Sequence, residues 1–457
     1  MVQCPNLIHS DPGFFQMRKY LEGLRRQGEL LSVDREVEPR FELAGVTLKA
    51  QQDQPDHAVM FQRVRGSKLP VASNIYSSRR RICEMIGATD GHFCRRWNQL
   101  LDKVSARTEA ATRKVPTPAG LLTEKLGKLP LITYHGKDAG PYFTSAIYLA
   151  KDPDTGVPNL SFHRSMVVSD RELRVRLGSS HDLAKYQKRA EEKGQPLEAA
   201  LLLSVPPEIF LAACASLPMD WDELALAAEL AQAPIPVHSG RKIDLDIPLS
   251  AQIVVEGRFL PNERRAEGPF GEVLGYYVPE GQNHVFEVLD VYWHSDAVFH
   301  SILCGSREDL TILQLVTAAT TYRHLNAVLP GIVDVTCAPA FMNTTVKIRQ
   351  QYEGHARQVL LAAFGAHVDY NKVCIVVDED VDMDNLDEVL WAFVTRGRAD
   401  RRVIVIDDVP GFYRDPNRDH WGRLGIDATM PFDRRGEFER KTIPGVERIN
   451  LSDYMKG

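Results

Sequence analysis

Short segments rich in β-branched and aromatic residues between residues 106 and 310 limit what this chain can fold into. Several alternate apolar and polar residues with a period of two, which predicts strands with one buried face. The strand segments are SMVVSD, ELRVRLG, KIDLDIP, AQIVVEGRFL, HVFEVLDVYWH and AVFHSILCG. Three segments with helical patterns interrupt them: DLAKYQKRAEEKG, PPEIFLAACASL and DELALAAELAQ. Many strands with few helices predict a barrel-like β domain that carries a helical subdomain.

The regions on either side of this β-rich part have different patterns. Residues 1–105 mix helical and strand segments, and Pro- and Gly-containing stretches near 105–125 mark a boundary. Further on, an α/β alternation is predicted, most simply a parallel crossover, with a helix over 347–364, a strand over 372–380, a helix over 385–396 and a strand over 401–408. The predicted fold class is α+β, with domains at 1–105, 106–310 and 311–430 and a charged tail at 431–457.

Composition and charge exclude several classes of protein. The 457 residues suffice for two or three domains, and the net charge of -6 gives no electrostatic footprint for nucleic acid or anionic membrane. No secretory signal and no apolar run of membrane-spanning length is visible. Seven cysteines without a CxxC pair indicate reduced thiols and no zinc or disulfide framework. We therefore expect a cytoplasmic protein without a nucleic-acid or membrane partner.

Two other kinds of binding site are not supported. In the acidic run DEDVDMDNLDE, Asp380, Asp382 and Asp384 alternate as in a calcium loop. However, Asn385 stands where such a loop requires glycine, and no glutamate closes it. The run is interpreted as a polar loop before a helix N-terminus. The sequence contains no P-loop and no GxGxxG motif, so the nucleotide-binding folds that use them are not indicated.

The stretch EGPFGEVLGYY, residues 267–277, places Glu267 and Glu272 around a turn that Gly268, Pro269 and Gly271 enforce. Two carboxylates that share a space away from water cannot both ionise easily. One stays charged if a cation holds it, while the pKa of the other rises and makes it a usable proton donor. Taken alone, the stretch is equally consistent with a hairpin loop that carries two solvated glutamates.

Other candidate residues are scattered through the β-rich region. Asn159 and Arg164 lie five residues apart in NLSFHRSMVV, His181 lies in LGSSHDL, and Glu223 lies at a helix start in MDWDEL. A lone histidine or asparagine is more often a structural hydrogen-bonding residue than a ligand. Sequence spacing alone does not bring Asn159, His181 and Glu223 together.

Taken in order, these motifs resemble the UbiD-type decarboxylases, which use prenylated FMN. The resemblance continues in AQIVVEG, QQYEGHARQVL, IVVDEDVD, DEVLWAFVTR and GRLGIDAT, and covers nearly the whole chain. It implies a central split β-barrel of flavin-reductase type, flanked by an N-terminal mixed α/β domain and a C-terminal α/β oligomerisation domain. It also implies a homodimer or homohexamer.

The resemblance further implies a cofactor and its ligands. Prenylated FMN, made by a separate UbiX-type flavin prenyltransferase, would be tied to the protein through Mn²⁺ or Mg²⁺, with K⁺ nearby. The metal ligands by position are Asn159, His181 and Glu223, and two oxygen donors with one imidazole suit Mn²⁺ or Mg²⁺ better than zinc. The positions that match cofactor contacts are Phe162, His163, Arg164, Arg174, Arg176, His181 and Arg423.

By the same resemblance, Arg164, Glu267 and Glu272 form the catalytic network. Arg164 is expected to pair with Glu267 and orient the substrate carboxylate, while Glu272 donates a proton to the substrate carbon, which is bonded covalently to the cofactor. The sequence departs from the family pattern at His163, where relatives often have tyrosine, and at Arg423, where they often have lysine.

The expected function is the reversible non-oxidative decarboxylation of an aromatic, heteroaromatic or α,β-unsaturated carboxylic acid. The partners would be the small-molecule acid and CO₂. Two alternatives remain open: a 4-hydroxybenzoate-type decarboxylase of quinone biosynthesis, and a catalytically silent flavin-binding subunit of a larger carboxylase.

Overall fold

A computed structural model describes residues 17–105, 107, 110–178, 181–367, 369–412, 414–417 and 422–455. The first 16 residues of the predicted first domain, with Cys4, and the last two residues of the predicted tail lie outside these ranges. The chain divides into two compact units, residues 1–323 with 412–418, and residues 324–411 with 419–457. The division into domains at 105 and 310 stays a prediction.

The first unit contains most of the secondary structure. Its helices, the last of which extends into the second unit, are α1 Met17–Arg26, α2 Glu42–Asp53, α3 Arg79–Met85, α4 Phe93–Ser105, α5 Asp182–Glu192, α6 Pro207–Ala213, α7 Glu223–Ala231 and α8 Arg307–Val328. Its strands are β1 Leu30–Val33, β2 Ala58–Phe61, β3 Val71–Ser73, β4 Thr112–Lys114, β5 Leu122–Thr123, β6 Tyr142–Phe143, β7 Ile147–Lys151, β8 Pro158–Phe162, β9 Ser165–Ser169, β10 Glu172–Val175, β11 Leu197–Leu203, β12 Ile235–Ser239, β13 Asp246–Pro248, β14 Ile253–Glu267, β15 Phe270–Gly271, β16 Tyr277–Val278, β17 Gly281–Trp293 and β18 Phe299–His300.

A nine-stranded antiparallel sheet is the centre of the first unit. Its strand order is β6-β9-β10-β17-β14-β11-β7-β8, and β5 adds to β17. Apolar side chains of this sheet and of the loops around it form one buried cluster that includes Tyr148, Phe259 and Phe286. The α+β fold class is confirmed. The strand pairings of the described residues follow an open path, so they do not show the predicted split barrel.

The other described strands of the first unit form three smaller sheets. Their orders are β1-β2-β3-β18, β13-β12-β4 and β15-β16. Helix starts follow from local sequence: the Asp222 carboxylate accepts a hydrogen bond from the Leu224 N–H at 2.8 Å and caps α7, and Pro207 occupies the first turn of α6. This cap fixes Glu223 at the first position of α7.

The second unit has a five-stranded sheet in the order β19-β20-β21-β23-β22. Its elements are β19 Ile332–Thr336, β20 Asn343–Ile348, α9 His355–Gly365, β21 Val373–Asp378, α10 Leu386–Arg396, β22 Val403–Asp407 and β23 Gly422–Asp427. Short 3-10 turns follow in the tail. Ile375, Val377 and Val389 belong to a small buried cluster between α10 and this sheet.

Two predictions for the second unit are wrong. The predicted helix over 347–364 begins only at His355, because Lys347 and Ile348 belong to β20 and Gly354 adopts a left-handed conformation before the helix. The predicted parallel crossover through α10 does not form, since β22 runs antiparallel beside β23, and β23 is the parallel neighbour of β21. The parallel crossover is instead β20-α9-β21.

No helix in the described part of the chain combines the length and apolar character needed to cross a membrane. None of the six cysteines within the described residues forms a disulfide.

Candidate active site

The loop after β14 aims two carboxylates at one place. Glu267 ends β14, Gly268 takes a positive φ of 95°, and β15 pairs with β16 before Glu272. A side chain at Gly271 would lie 2.4 Å from the His135 ring, so only glycine fits there without displacement. The turn that the sequence predicts is therefore present, as a tight hairpin around two short strands.

A second loop clamps this hairpin. The Asp138 carboxylate accepts hydrogen bonds from the N–H groups of Gly271 and His135, each at 2.8 Å. The Ala139 N–H donates to the Pro269 carbonyl at 2.9 Å. These contacts fix the backbone immediately before Glu272.

Arg164 lies in the turn between β8 and β9 and bridges both glutamates. Its Nε and Nη2 donate to the two oxygens of Glu267, each at 3.0 Å, and its Nη1 donates to Glu272 Oε1. The side chains of Arg164, Glu267 and Glu272 are 7%, 1% and 4% exposed. A bidentate arginine–carboxylate pair at this depth is a strong and directional contact.

Glu267 has two further donors. The Tyr142 hydroxyl donates to its Oε1 at 2.9 Å, and the Asn283 amide donates to its Oε2 at 2.8 Å. The Arg164 guanidinium also lies over the Phe270 ring, 4.7 Å from its centroid. Both oxygens of this carboxylate therefore accept hydrogen bonds, and the side chain is held in one position.

The sequence predicts that Glu272 is free to carry a proton, but two arginines contact its carboxylate. Arg414 Nη1 donates to its Oε2 at 2.8 Å, and the Val273 N–H donates to the same oxygen at 3.1 Å. Burial alone would raise the pKa of Glu272, but the charges of Arg414 and Arg164 outweigh it and hold that pKa below its usual value. The expected rise in the pKa of one glutamate is therefore wrong for Glu272 in this state, because a second arginine is present.

One more acid lies near Glu272. The Asp309 carboxylate, in the first turn of α8, accepts a hydrogen bond from the Gly305 N–H at 2.8 Å. Burial, together with the negative charge of Glu272, raises the pKa of Asp309 to about 6. Burial also raises the pKa of the neighbouring Cys304 thiol, which stays protonated.

Asn159 and Glu223 form a second buried polar group. The Asn159 amide donates to Glu223 Oε1 at 3.1 Å, and the Leu160 N–H donates to Oε2 at 3.0 Å. Among the described residues, no arginine or lysine forms an ion pair with this carboxylate. Burial raises the pKa of Glu223 to about 8, although the Leu160 N–H opposes the rise.

Ser161 and His163 connect this group to His181. The Ser161 hydroxyl lies 2.9 Å from Asn159 Oδ1 and 2.9 Å from His163 Nε2. The rings of His163 and His181 have centroids 5.1 Å apart. Burial keeps the pKa of His163 well below its usual value, so its imidazole is neutral. The structure thus links Asn159, Glu223 and His181 through two intermediate side chains.

Family models match most of the chain. The N-terminal, Rift-related and C-terminal domains of 3-octaprenyl-4-hydroxybenzoate carboxy-lyase match residues 21–101, 111–307 and 310–428. The chain belongs to the UbiD family of carboxy-lyases.

Individual members of the UbiD family match along their whole length. The anhydromevalonate phosphate decarboxylase of Methanothermobacter thermautotrophicus is 29% identical over 435 residues, covering 93% of this chain and 99% of the relative. The UbiD-class enzyme HmfF of Pelotomaculum thermopropionicum, solved in complex with FMN, is 33% identical with a TM-score of 0.89. An evolved dimeric form of HmfF in complex with prFMN is 31% identical with a TM-score of 0.86. Both structural matches cover 96% of this chain and 99% of HmfF.

The remaining predicted cofactor-contact residues of this UbiD member occupy varied environments. The Phe162 ring packs against Phe210, with centroids 5.1 Å apart. Arg174 pairs with Glu172 and donates to the Ala266 carbonyl at 3.1 Å, and the Arg176 carbonyl lies 3.3 Å from His163 Nδ1. In the second unit, buried Arg423 donates to the backbone carbonyls of Tyr370 and Pro410. Their roles in binding a cofactor stay predictions.

The described residues contain no cluster of three or more His, Cys, Asp or Glu side chains that could hold a metal ion. The predicted ligand set contains only two such residues, His181 and Glu223, with Asn159 as the third member.

Sequence reasoning missed Tyr142, Asn283, Asp138 and Arg414. The position of Asn283 could have been predicted from the β14-β17 hairpin. The hairpin pairs Arg265 with Asn283, and this places the Asn283 side chain near Glu267. The other three approach from distant loops or strands, and no local pattern marks them.

Proposed function

We propose that this protein is a prenylated-FMN-dependent decarboxylase that acts on an aromatic, heteroaromatic or α,β-unsaturated carboxylic acid. The observation that carries the proposal is the buried contact of Arg164 with both Glu267 and Glu272. Such a constellation is unfavourable to bury unless its charges are matched or used. The family membership and the flavin in the two HmfF structures support the choice of cofactor.

The chain's own residues fit this cofactor. Glu223 is a buried carboxylate whose contacts are an amide and an N–H, so a divalent cation would supply the positive charge that the chain does not. Asn159, His181 and Glu223 would hold Mn²⁺ or Mg²⁺ against the cofactor phosphate, with K⁺ nearby. Phe162, His163, Arg174 and Arg176 would contact the flavin, and Arg423 stays a further candidate.

The departure at His163 is compatible with this arrangement. A neutral imidazole donates with one nitrogen and accepts with the other. The Arg176 carbonyl beside Nδ1 assigns the proton to that nitrogen, so Nε2 is left as an acceptor. The Ser161 hydroxyl, which donates to Asn159 Oδ1 at 2.9 Å, lies at the same distance from Nε2. Asn159 Oδ1 keeps a second lone pair that could serve a metal ion.

When bound, prenylated FMN would supply the electron sink that no amino-acid side chain offers. Arg164 binds both oxygens of Glu267 and would orient the substrate carboxylate. Glu272 delivers a proton to the substrate carbon after CO₂ has left. Because Glu272 is ionised in the ligand-free protein, it must gain that proton before it can donate it.

The substrate class rests on relatives and on the site. The anhydromevalonate phosphate decarboxylases support the unsaturated acids. The family description, which names a 4-hydroxybenzoate carboxy-lyase, keeps the quinone-pathway type as a second candidate. Screening hydroxybenzoates against heteroaromatic and acrylic acids separates these two. A silent subunit is disfavoured because Arg164, Glu267 and Glu272 are all present and in contact.

The decisive experiment measures CO₂ release after co-expression with a UbiX-type flavin prenyltransferase. Glu272→Gln should reduce turnover by about 10²–10⁴-fold, the usual contribution of a general acid, with the cofactor still bound. Glu263→Gln removes a half-exposed glutamate that pairs with Arg265 on the same strand and should leave turnover unchanged. Full turnover in Glu272→Gln would contradict the proton-donor role. Absorbance and mass of the bound cofactor check its identity.

Further parts of the proposal concern organisation. We propose the three domains given above, a split-barrel arrangement of the central sheet, a cytoplasmic location, and a homodimer or homohexamer. The evolved dimeric form of HmfF supports self-association.

A further inference from the structure

The hairpin that carries Glu272 is too small to hold its own position. Its two strands, β15 and β16, pair through only two residues each. A ribbon of this length is at best marginally stable by itself in water, so contacts from elsewhere in the chain must fix it. The loop at residues 135–139 supplies such contacts, and its Asp138 makes the central one.

Asp138 bridges its own loop and the hairpin. Its Oδ1 accepts a hydrogen bond from the Gly271 N–H, and its Oδ2 accepts one from the His135 N–H, each at 2.8 Å. Oδ2 also lies 3.4 Å from His135 Nδ1. The Asp138 side chain is 0% exposed, so this bridge is shielded from competing water. Because Glu272 follows Gly271 directly, the carboxylate fixes the chain one residue before the proposed proton donor.

The same chain segment also reaches Glu267. It continues into β6, where the Tyr142 hydroxyl donates to Glu267 Oε1 at 2.9 Å. The Tyr142 ring packs against the ring of Phe270 in the hairpin, with centroids 4.4 Å apart. Residues 135–142 therefore hold the Glu267 side chain and the backbone before Glu272 as one unit.

A second loop packs against the backbone of Glu272. Gly305 has a positive φ of 74°, and a side chain there would lie 3.4 Å from the Glu272 carbonyl oxygen. This loop is bonded to the chain next to Asp138, because the Tyr134 hydroxyl forms hydrogen bonds with the hydroxyls of Ser301 at 2.8 Å and Thr144 at 2.9 Å. The segment that holds the hairpin is therefore also bonded to the loop that packs on the proposed proton donor.

We propose that Asp138 is a positioning residue for the proton transfer. It holds the hairpin of Glu272 in a fixed position relative to Glu267 and contributes to the reaction only through that hairpin. The inference rests on the proposed function, in which Glu272 delivers the proton to the substrate carbon. A proton donor must come within about 2.6–3.2 Å of the atom that receives the proton, and a misplacement of about 1 Å lowers the rate by about 10²-fold.

Removal of the Asp138 carboxylate leaves two backbone N–H groups without their acceptor. An unpaired buried donor is unfavourable, so the loop and the hairpin must separate enough to admit water. That separation moves Glu272 away from its position beside Glu267. A role in stability alone predicts a lower melting temperature with unchanged kcat, whereas the positioning role predicts a lower kcat in the folded holoenzyme.

The first test measures steady-state kinetics of Asp138→Ala holoenzyme with an acid that the wild type decarboxylates, after absorbance has shown that the cofactor is bound. The kcat should fall by about 10²-fold. The KM should change little, because Asp138 contributes no group to the binding of the acid. A wild-type kcat in this variant, or a loss confined to KM, overturns the proposal.

Asp138→Asn is the conservative variant. It keeps one acceptor oxygen, so one of the two N–H groups stays paired, and its kcat should lie between those of wild type and Asp138→Ala. A kcat below that of Asp138→Ala would show that the charge matters rather than the acceptor, and it overturns the proposal. If Asp138→Ala does not fold or does not retain cofactor, Asp138→Asn replaces it, and a wild-type kcat in Asp138→Asn then overturns the proposal.

A double-mutant cycle shows whether Asp138 acts through Glu272. Asp138→Ala added to Glu272→Gln should lower the single-turnover rate no further, because Glu272→Gln has already removed the group that Asp138 positions. If each substitution keeps its full effect in the presence of the other, Asp138 acts independently of Glu272 and the proposal is wrong.

Glu256→Gln is the matched control. Glu256 is a buried carboxylate, 0% exposed, near the opposite end of β14 from Glu267. It likewise accepts hydrogen bonds from backbone N–H groups, those of Arg241 at 2.9 Å and Lys242 at 2.6 Å. Its replacement should lower the melting temperature and leave kcat unchanged. A loss of kcat equal to that of Asp138→Ala would show that destabilisation alone slows the enzyme, and it overturns the proposal.

Hydrogen exchange measured by mass spectrometry tests the structural step without any substrate. In Asp138→Ala holoenzyme, the peptide that covers residues 267–278 should exchange faster than in wild type, while a peptide that covers β11 should not change. Unchanged exchange in the hairpin overturns the proposal. Absence of CO₂ release from every acid with the wild-type holoenzyme refutes the proposed function instead.

Discussion

Two buried carboxylates of the site, Glu267 and Glu223, are held in opposite ways. Glu267 receives a bidentate arginine, a tyrosine hydroxyl and an asparagine amide. Glu223 receives one asparagine amide and one backbone N–H, and no cation of the described residues pairs with it. Both carboxylates are almost completely buried, at 1% and 4% exposure.

We propose that this difference separates a part of the site that the chain completes by itself from a part that a metal ion would complete. In the Arg164 cluster, which comprises Arg164, Arg414, Glu267 and Glu272, each carboxylate contacts an arginine, and these contacts hold the side chains in fixed positions. Burial raises the pKa of Glu223, which lies beside Asn159, and so disfavours its ionised form. A bound divalent cation would stabilise that ionised form. We therefore expect that removing Arg164 lowers the free energy of unfolding, whereas neutralising Glu223 raises it.

The largest effect is expected for Arg164→Ala. The change leaves Glu267 and Glu272 buried side by side with only Arg414 as a cation, and breaking such a buried pair costs about 3–5 kcal/mol of the free energy of unfolding. Decarboxylation should be lost as well. Urea denaturation and CO₂ release measure the two effects.

Arg258→Gln is the matched control for stability. Its partner is Glu287, and both side chains are about 40% exposed, at 41% and 39%. Exposed pairs contribute about 0–1 kcal/mol. Equal losses of the free energy of unfolding in Arg258→Gln and Arg164→Ala would mean that the buried ion pairs of Arg164 stabilise the protein no more than an exposed pair does. The contrast between the Glu267 and Glu223 environments would then fail.

A smaller effect of opposite sign is expected for Glu223→Gln in the metal-free protein. A neutral amide replaces a carboxyl group whose pKa burial raises to about 8, so below that pH the wild-type protein must take up a proton on folding and the variant need not. Asn159 can turn its own amide to present an oxygen to the new N–H₂ group. The free energy of unfolding should rise by about 1–3 kcal/mol. The thermal shift on adding Mn²⁺ with FMN should be present in wild type and absent in the variant. If Glu223→Gln is less stable than wild type and shows the same thermal shift with Mn²⁺, Glu223 is not a metal ligand.

The parts of the site that the sequence predicted are those set by local chain geometry. Glu267 and Glu272 flank a glycine- and proline-rich turn, and that turn determines where both carboxylates point. The pairing of Glu272 was not predictable, because its second cation, Arg414, lies 142 residues further along the chain. The expectation of a proton-holding Glu272 assumed one arginine, and two are present.

The fold shows the same limit. Strands and helices with strong local patterns, such as β17 and α10, lie where the sequence predicts them. The direction of β22 was missed because it depends on β23, which follows later in the chain and takes the place beside β21. Pairing partners that are distant in sequence decide both the sheet order and the charge state of Glu272.

The smallest expected effect tests how firmly the hairpin holds the Arg164 cluster. In Gly271→Ala the new methyl group would lie 2.4 Å from His135 Nδ1, so the hairpin or the His135 ring must move. Overpacking of this kind costs about 1–3 kcal/mol, and movement of the adjacent Glu272 should lower kcat more than it changes KM. Gly140→Ala is the control, since a methyl group there meets no atom within 4 Å. If Gly271→Ala keeps the wild-type kcat while Glu272→Gln does not, the hairpin tolerates the displacement. The preorganisation ascribed to this region would then come from the two arginines alone.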